Sequence, residues 1–257
     1  MPLHPTILVF EKAEDLALGA ARRIVSIIEG AVRERGTCSI ALSGGETPRA
    51  VYRQLAGPGP GRGIDWSRIH VFFGDERLVP PDDPQSNFCM ARNELLTKVA
   101  IPEENVNRIR GELPADDAVN DYRSRLHAFF GDKRPRFDLI LLGLGGDGHT
   151  ASLFPDSPDL GVERETVVAA VAPVPPERRV TLALPVINNA REILFLVSGE
   201  NKASIVREVL GAGLPVKKLP AAMVKPARGN LVWLLDSGAA SQLPLESQTR
   251  AEVPAGA

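Results

Sequence analysis

Phe137-Asp138-Leu139-Ile140-Leu141-Leu142-Gly143-Leu144-Gly145-Gly146-Asp147-Gly148-His149 is a nearly unbroken apolar run that ends in a glycine-rich turn carrying an aspartate and a histidine. Residues 137–142 fit a strand buried on both faces, the kind that builds parallel sheets. The turn contains G-x-G-x-x-G as Gly143, Gly145 and Gly148, which invites a dinucleotide-loop reading. The residues beyond Gly148 rule that reading out. The fingerprint needs a long helix opening at the third glycine, and Pro155 and Pro158 cut any helix short. The turn instead presents Asp147 and His149 at the carboxyl edge of a sheet, where open α/β sheets bind their ligands.

The flanking sequence repeats the theme. Residues 6–10, 39–42, 69–73, 167–171, 180–184, 193–197 and 231–235 read as strands. Residues 13–35, 86–98, 115–130 and 202–210 read as helices by the spacing of their apolar positions. Another helix opens at Thr47-Pro48, with Thr47 as N-cap and Pro48 at the first helical position. This alternation predicts an α/β fold, a three-layer αβα architecture with a mainly parallel, Rossmann-like sheet. Residues 1–236 are expected to form a single domain. Residues 237–257 lose periodicity and are expected to be a polar, frayed tail. The glycine- and proline-rich segment 57–63 reads as a solvent-exposed connection.

Composition narrows the function. The 257 residues are 44% hydrophobic and 24% charged, enough apolar mass for a sizeable core. Thirty Lys and Arg against 32 Asp and Glu leave a net charge of −2. The broad positive field that sequence-independent nucleic-acid binding relies on is therefore missing. Cys38 and Cys89 are the only cysteines, which excludes a disulfide scaffold and any cysteine-based zinc or iron–sulfur site. Neither a His-x-x-x-His pair nor EF-hand spacing is present, so no metal and no cofactor are expected. A G-x-S-x-G elbow is absent too. The N-terminal residues do not read as a signal peptide, and the apolar runs are too short to span a bilayer. The expectation is a soluble cytoplasmic protein acting on a small molecule, with no nucleic-acid or membrane partner. Oligomeric state is left open, with a monomer as the working expectation.

Three more strand ends carry chemistry. Ser43-Gly44-Gly45-Glu46-Thr47-Pro48 joins a strand to a helix start, where free N–H groups and the helix dipole suit a phosphate. It is equally a plain tight turn. Gly74-Asp75-Glu76-Arg77 places two carboxylates and a guanidinium at a strand end, either as a ligand site or as a solvated charge cluster. Ser198-Gly199-Glu200-Asn201-Lys202 sets one of seven lysines, among 23 arginines, at a helix N-terminus. A cation is unfavourable there unless an anion is held nearby. Arg178 and Arg179 are candidates to add charge to the same pocket. His149, beside carboxylates at a strand end, is the candidate general base. His4, His70 and His127 read as structural or terminal.

Taken in order, these motifs resemble the 6-phosphogluconolactonase family along nearly the whole chain. The resemblance rests on Leu42-Ser43-Gly44-Gly45-Glu46-Thr47-Pro48, Gly74-Asp75-Glu76-Arg77-Leu78-Val79-Pro80 with Ser86-Asn87, and the run from Phe137 through Gly145. It continues in Asp147-Gly148-His149-Thr150-Ala151-Ser152-Leu153-Phe154-Pro155, Arg179-Val180-Thr181-Leu182, Gly199-Glu200-Asn201-Lys202 and Leu219-Pro220-Ala221-Ala222. Gly146 departs from it, since the family often has proline there. The change loosens the loop and removes no chemical group.

The resemblance implies a fold shared with glucosamine-6-phosphate deaminases and ribose-5-phosphate isomerases. It also implies hydrolysis of 6-phospho-D-glucono-1,5-lactone, the second step of the oxidative pentose phosphate pathway. The deaminases are the nearest competitors. Their Asp-Gly-His is followed by Ile-Ala-Phe-Asn-Glu-Pro, whose glutamate partners the histidine in ring opening; here that position is Phe154. A non-catalytic sugar-phosphate sensor of the same fold is a third reading. On the lactonase reading, Ser43, Gly44, Gly45, Thr47, Arg179 and Lys202 hold the substrate phosphate. His149 activates water, and Asp75 orients the imidazole, with Asp147 as second candidate. Arg77 stabilises the oxyanion or helps hold phosphate.

Overall fold

The computed structural model describes residues 5–211 and 218–251. The parallel sheet has seven strands: β1 (Thr6–Phe10), β2 (Cys38–Leu42), β3 (Ile69–Phe73), β5 (Leu139–Leu142), β8 (Glu192–Val197), β9 (Asn230–Asp236) and β10 (Thr249–Arg250). Their order is β10-β1-β9-β8-β5-β2-β3, and every pairing is parallel. All residues of β2 and β5 are buried, which explains why these strands read as continuous apolar runs. The principal helices are α1 (Ala13–Arg35), α2 (Glu46–Ala56), α3 (Asn87–Glu94), α4 (Ala115–Phe130) and α6 (Ala203–Leu210), with a single turn, α5 (Leu184–Ile187). They flank the sheet and complete the expected α/β architecture.

Beside the main sheet stands an antiparallel one in the order β4-β7-β6, made of β4 (Asp75–Arg77), β6 (Val167–Val171) and β7 (Arg178–Leu182). Gly74 joins the two sheets. Its N–H donates to Leu42 at the end of β2, and its carbonyl accepts from Leu182 at the end of β7. A three-residue charged strand has no apolar alternation, so β4 carries no strand signal in the sequence.

Two buried tyrosines fix the strand ends beneath the site. The Tyr52 hydroxyl, on α2, accepts the Ser43 N–H at 3.0 Å and donates to the Ser43 carbonyl at 2.7 Å. Tyr122, on α4, does the same for Phe73 at 2.9 and 2.7 Å. Burial pushes both phenols above their ordinary pKa, so they remain neutral donors.

Several expectations are corrected. Helix α2 begins at Glu46 with Gly45 as N-cap, so Thr47 lies inside the first turn rather than capping it. Its start needs a left-handed residue, and Gly45 has φ +105°. Segment 57–63 is not wholly solvent-exposed: Gly61 is buried where a β-carbon would overlap the Leu55 carbonyl. The segment after Asp236 does not fray at once. Ala239, Ala240 and Leu243 are buried, and β10 pairs with β1. Its small residues hid this, because alanines carry little periodic signal. His4 and residues 252–257 of the expected tail lie outside the described residues.

Candidate active site

The carboxyl ends of β3, β2, β5 and β8 lie side by side in the sheet, and each runs into one of the chemistry-bearing loops. They surround a cavity of about 500 Å³ lined by Ser43, Gly44, Gly45, Thr47, Asp75, Arg77, His149, Arg179 and Lys202. Nine of the ten residues to which the lactonase reading gives a role therefore meet at one cavity. The tenth, Asp147, stands behind His149. A larger hollow of about 1570 Å³ lies alongside, but it takes in only the Asp147 side of the turn and mostly apolar neighbours. The smaller cavity is the one where polar groups converge, as ligand sites require.

At the end of the cavity formed by Ser43-Gly44-Gly45, the two glycines are needed for different reasons. Gly45 supplies the positive φ that starts α2. At Gly44 a β-carbon would overlap the Asn87 carboxamide oxygen. The backbone thus runs close beneath the cavity with the α2 N-terminus open to it. Opposite, Gly199 has φ +103° and its N–H donates to the Asp236 carboxylate, which also takes the Ser198 hydroxyl at 2.6 Å. This loop holds Lys202, whose Nζ donates to the Leu144 carbonyl at 2.8 Å.

Arg77 and Arg179 face each other across the β4–β7 pair. Arg179 is 8% exposed, and its Nε donates to the Pro176 carbonyl. Burial, followed by repulsion from Arg77, lowers the Arg179 pKa below its ordinary value. Arg77 donates to the Gln85 carbonyl, while its Nε has no partner among the described residues. Neither guanidinium has a carboxylate within salt-bridge distance among the described residues, although two like charges stand together. An anion entering the cavity would relieve that repulsion. Arg178, also a candidate from sequence, is exposed and does not line the cavity.

The histidine is held from two sides. Asp147 Oδ1 lies 2.6 Å from Nδ1 of His149 and accepts the His149 backbone N–H at 3.1 Å. Burial pushes Asp147 up, but the bond from the His149 N–H and the adjoining imidazole outweigh it, so its pKa falls below the ordinary carboxylate value. An ionised Asp147 fixes the proton on Nδ1 and leaves Nε2 free to act as base. The Phe154 ring packs against the imidazole at a centroid distance of 4.8 Å. Gly145 is a requirement of this placement, because a β-carbon there would overlap the imidazole. Gly146 opens onto free space, so its difference from the usual proline disturbs no neighbour.

The expectation that Asp75 orients His149 is corrected. Asp75 Oδ2 accepts the Ser152 hydroxyl at 2.7 Å, and Oδ1 accepts from Asn87 Nδ2 at 3.2 Å. The neighbouring Glu76 faces the other way. It gathers the N–H groups of Arg77, Asn87 and Phe88 and the Ser86 hydroxyl, capping α3. Burial nevertheless pushes its carboxyl up. Asn87 and Ser152 were not singled out as site residues, since an amide and a hydroxyl carry no spacing signature. His70 packs on Phe129 and His127 lies near Asp132, both away from the cavity. Among the described residues, no cluster of three or more His, Cys, Asp or Glu is arranged to hold a metal ion. Nor is any described helix long and apolar enough to cross a membrane.

A family model described as glucosamine-6-phosphate isomerases/6-phosphogluconolactonase matches residues 11–233. The chain is 41% identical over 250 residues to the 6-phosphogluconolactonase of Homo sapiens, spanning 94% of this chain and 95% of the human protein. The 6-phosphogluconolactonase structure from Trypanosoma brucei superposes with a TM-score of 0.84 at 32% identity, over 93% of this chain and 99% of that one. A monomeric glucosamine-6-phosphate deaminase, 22% identical with a TM-score of 0.77 over 92% of this chain and 99% of its own, shares the fold.

Proposed function

The chain belongs to the glucosamine-6-phosphate isomerase/6-phosphogluconolactonase family, and we propose that it acts there as a 6-phosphogluconolactonase. It hydrolyses 6-phospho-D-glucono-1,5-lactone to 6-phospho-D-gluconate, the second step of the oxidative pentose phosphate pathway. The observation that carries this reading is the surroundings of His149: a carboxylate on Nδ1, a phenyl ring beside it, and Nε2 left as a base.

The substrate phosphate sits at the α2 N-terminus over Gly44, Gly45 and Thr47, with Lys202 and Arg179 supplying positive charge. His149 Nε2 takes a proton from water as the water oxygen bonds to C1 of the lactone. The C1–ring-oxygen bond then breaks, and the imidazolium returns its proton to that oxygen. Water is consumed, and the product is an open-chain acid that ionises. Asp147 stabilises the imidazolium while it exists. Arg77, beside Arg179, faces the negative charge that develops on the carbonyl oxygen or shares the phosphate; a fall in kcat or a rise in KM for Arg77→Ala distinguishes the two. An activated ester such as a lactone needs only a base and a binding pocket.

Aldose–ketose isomerisation and deamination need a second proton carrier beside the histidine, and Phe154 provides none. The test is a pH-stat assay on freshly made 6-phosphogluconolactone, corrected for spontaneous hydrolysis, run beside an ammonia assay on glucosamine 6-phosphate. Acid release above background with no ammonia is expected. Ammonia release without lactone hydrolysis would overturn the reading, and inertness toward both would leave a sensor.

A further inference from the structure

The mechanism leaves one buried carboxylate on the cavity wall without a task. Asp75 is 6% exposed and has no Lys, Arg or His within salt-bridge distance among the described residues. Among the described residues its only side-chain partners are two neutral donors, the Ser152 hydroxyl and the Asn87 amide. A buried carboxylate satisfied so sparingly is costly unless something else donates to it. Each of its oxygens retains acceptor capacity.

The neighbours of Asp75 hold it rigidly and do not compete for those acceptor sites. Asn87 Nδ2 donates to both the Asp75 carbonyl, at 2.9 Å, and its carboxylate. The oxygen of the same amide lies against Gly44. Glu76 takes the backbone N–H of Asn87 at 2.7 Å and anchors it from behind. On the other side, Ser152 gives its single hydroxyl proton to Asp75, and its N–H goes to Thr181 Oγ1 at 3.3 Å. Asp75 is thus linked through Asn87 to the phosphate loop and through Ser152 to the segment that carries His149. It stands between the two ends of the cavity.

We infer that Asp75 is a specificity-determining residue whose carboxylate accepts a hydrogen bond from a ring hydroxyl of the substrate. This rests on the lactonase reading above. A lactone spanning from the phosphate loop to His149 presents its ring hydroxyls to the middle of the cavity, and a fixed acceptor there selects a polyol over a deoxy or apolar analogue. A site built to bond a hydroxyl discriminates strongly against a ligand lacking it.

The experiment crosses enzyme and substrate changes. Wild type and Asp75→Asn are assayed by kcat/KM on 6-phosphogluconolactone and on its 2-deoxy, 3-deoxy and 4-deoxy forms. Asp75→Asn is expected to lose roughly 10- to 100-fold on the full substrate, the range for a hydrogen bond to a charged group. One deoxy lactone should show a similar loss with wild type and little further loss with the variant. Equal penalties on all four substrates, or no penalty at all, would overturn the proposal. Wild type inert toward the full lactone would overturn the lactonase reading instead, and is seen before any variant is made. Should Asp75→Asn fail to fold, Ser152→Ala keeps the carboxylate but frees it to move, and should show a weaker penalty that vanishes with the same deoxy lactone.

Discussion

Asp147 and His149 form a closed pair: one carboxylate oxygen accepts both the backbone N–H of His149, at 3.1 Å, and Nδ1 of its ring, at 2.6 Å. The pair sets the tautomer and the ring orientation together. Asp147→Asn therefore lowers kcat by roughly 10-fold or more while KM changes little. That is less than the about 10²–10⁴-fold expected for losing the base itself. Steady-state kinetics on the lactone check it, and a variant that changes only KM would place Asp147 on substrate rather than on His149.

Gly145 tests the same geometry from the opposite side. Its β-carbon would overlap the imidazole, and the glycine sits in a turn closed by its N–H to the His149 carbonyl at 2.8 Å. Gly145→Ala should displace the ring and lose activity almost as completely as His149→Ala, with the melting temperature little changed. Full activity in this variant would show that the ring has another productive position.

On the proposed reading Lys202 holds the substrate phosphate and transfers no proton. Its ammonium reaches the Leu144 carbonyl at the cavity wall, opposite the α2 N-terminus. Lys202→Ala should raise KM for the lactone and weaken 6-phosphogluconate binding by roughly 10-fold or more, the scale of a charge-assisted phosphate contact, with a smaller effect on kcat. Calorimetry of product binding separates the two, and unchanged product affinity would remove Lys202 from the phosphate site.

The arm behind Arg77 has its own pH dependence. Arg108 forms two hydrogen bonds to Glu112, at 2.8 and 2.7 Å, and lies over the Phe88 ring. Between them, Gly111 packs against the Arg77 and Val79 carbonyls. The bonds from Arg108 hold the Glu112 carboxyl down to about 2 from an ordinary 4.5. A lowered folded-state pKa stabilises the fold at pH values above 4.5, and this contribution is lost as pH falls toward 2. Glu112→Gln should therefore melt lower than wild type at pH 7, and the gap should close between about pH 4.5 and 2. A gap that persists at pH 2 would mean the pair acts through packing rather than charge.

Much of this was legible from residues 137–149 alone. A buried apolar run, a glycine turn and two polar side chains at its end identified the sheet and its active edge, because parallel strands show their burial in sequence. The glycine loops were legible because only glycine tolerates φ near +105° at the start of α2 or lets Asn87 approach Gly44 so closely. What stayed hidden was pairwise. Asp75 and Asp147 are both carboxylates near His149 in motif order, and only the fold shows that β4 turns Asp75 toward Ser152 and Asn87. Likewise, Thr249–Arg250 carries no strand signal of its own and is a strand only because β1 offers it an edge.

The most direct test of His149 as the base is the turnover of His149→Ala on freshly made 6-phosphogluconolactone at saturating substrate, with spontaneous hydrolysis subtracted. If His149 activates the water, kcat falls by about 10²–10⁴-fold while affinity for 6-phosphogluconate is retained. A kcat equal to that of wild type would contradict it.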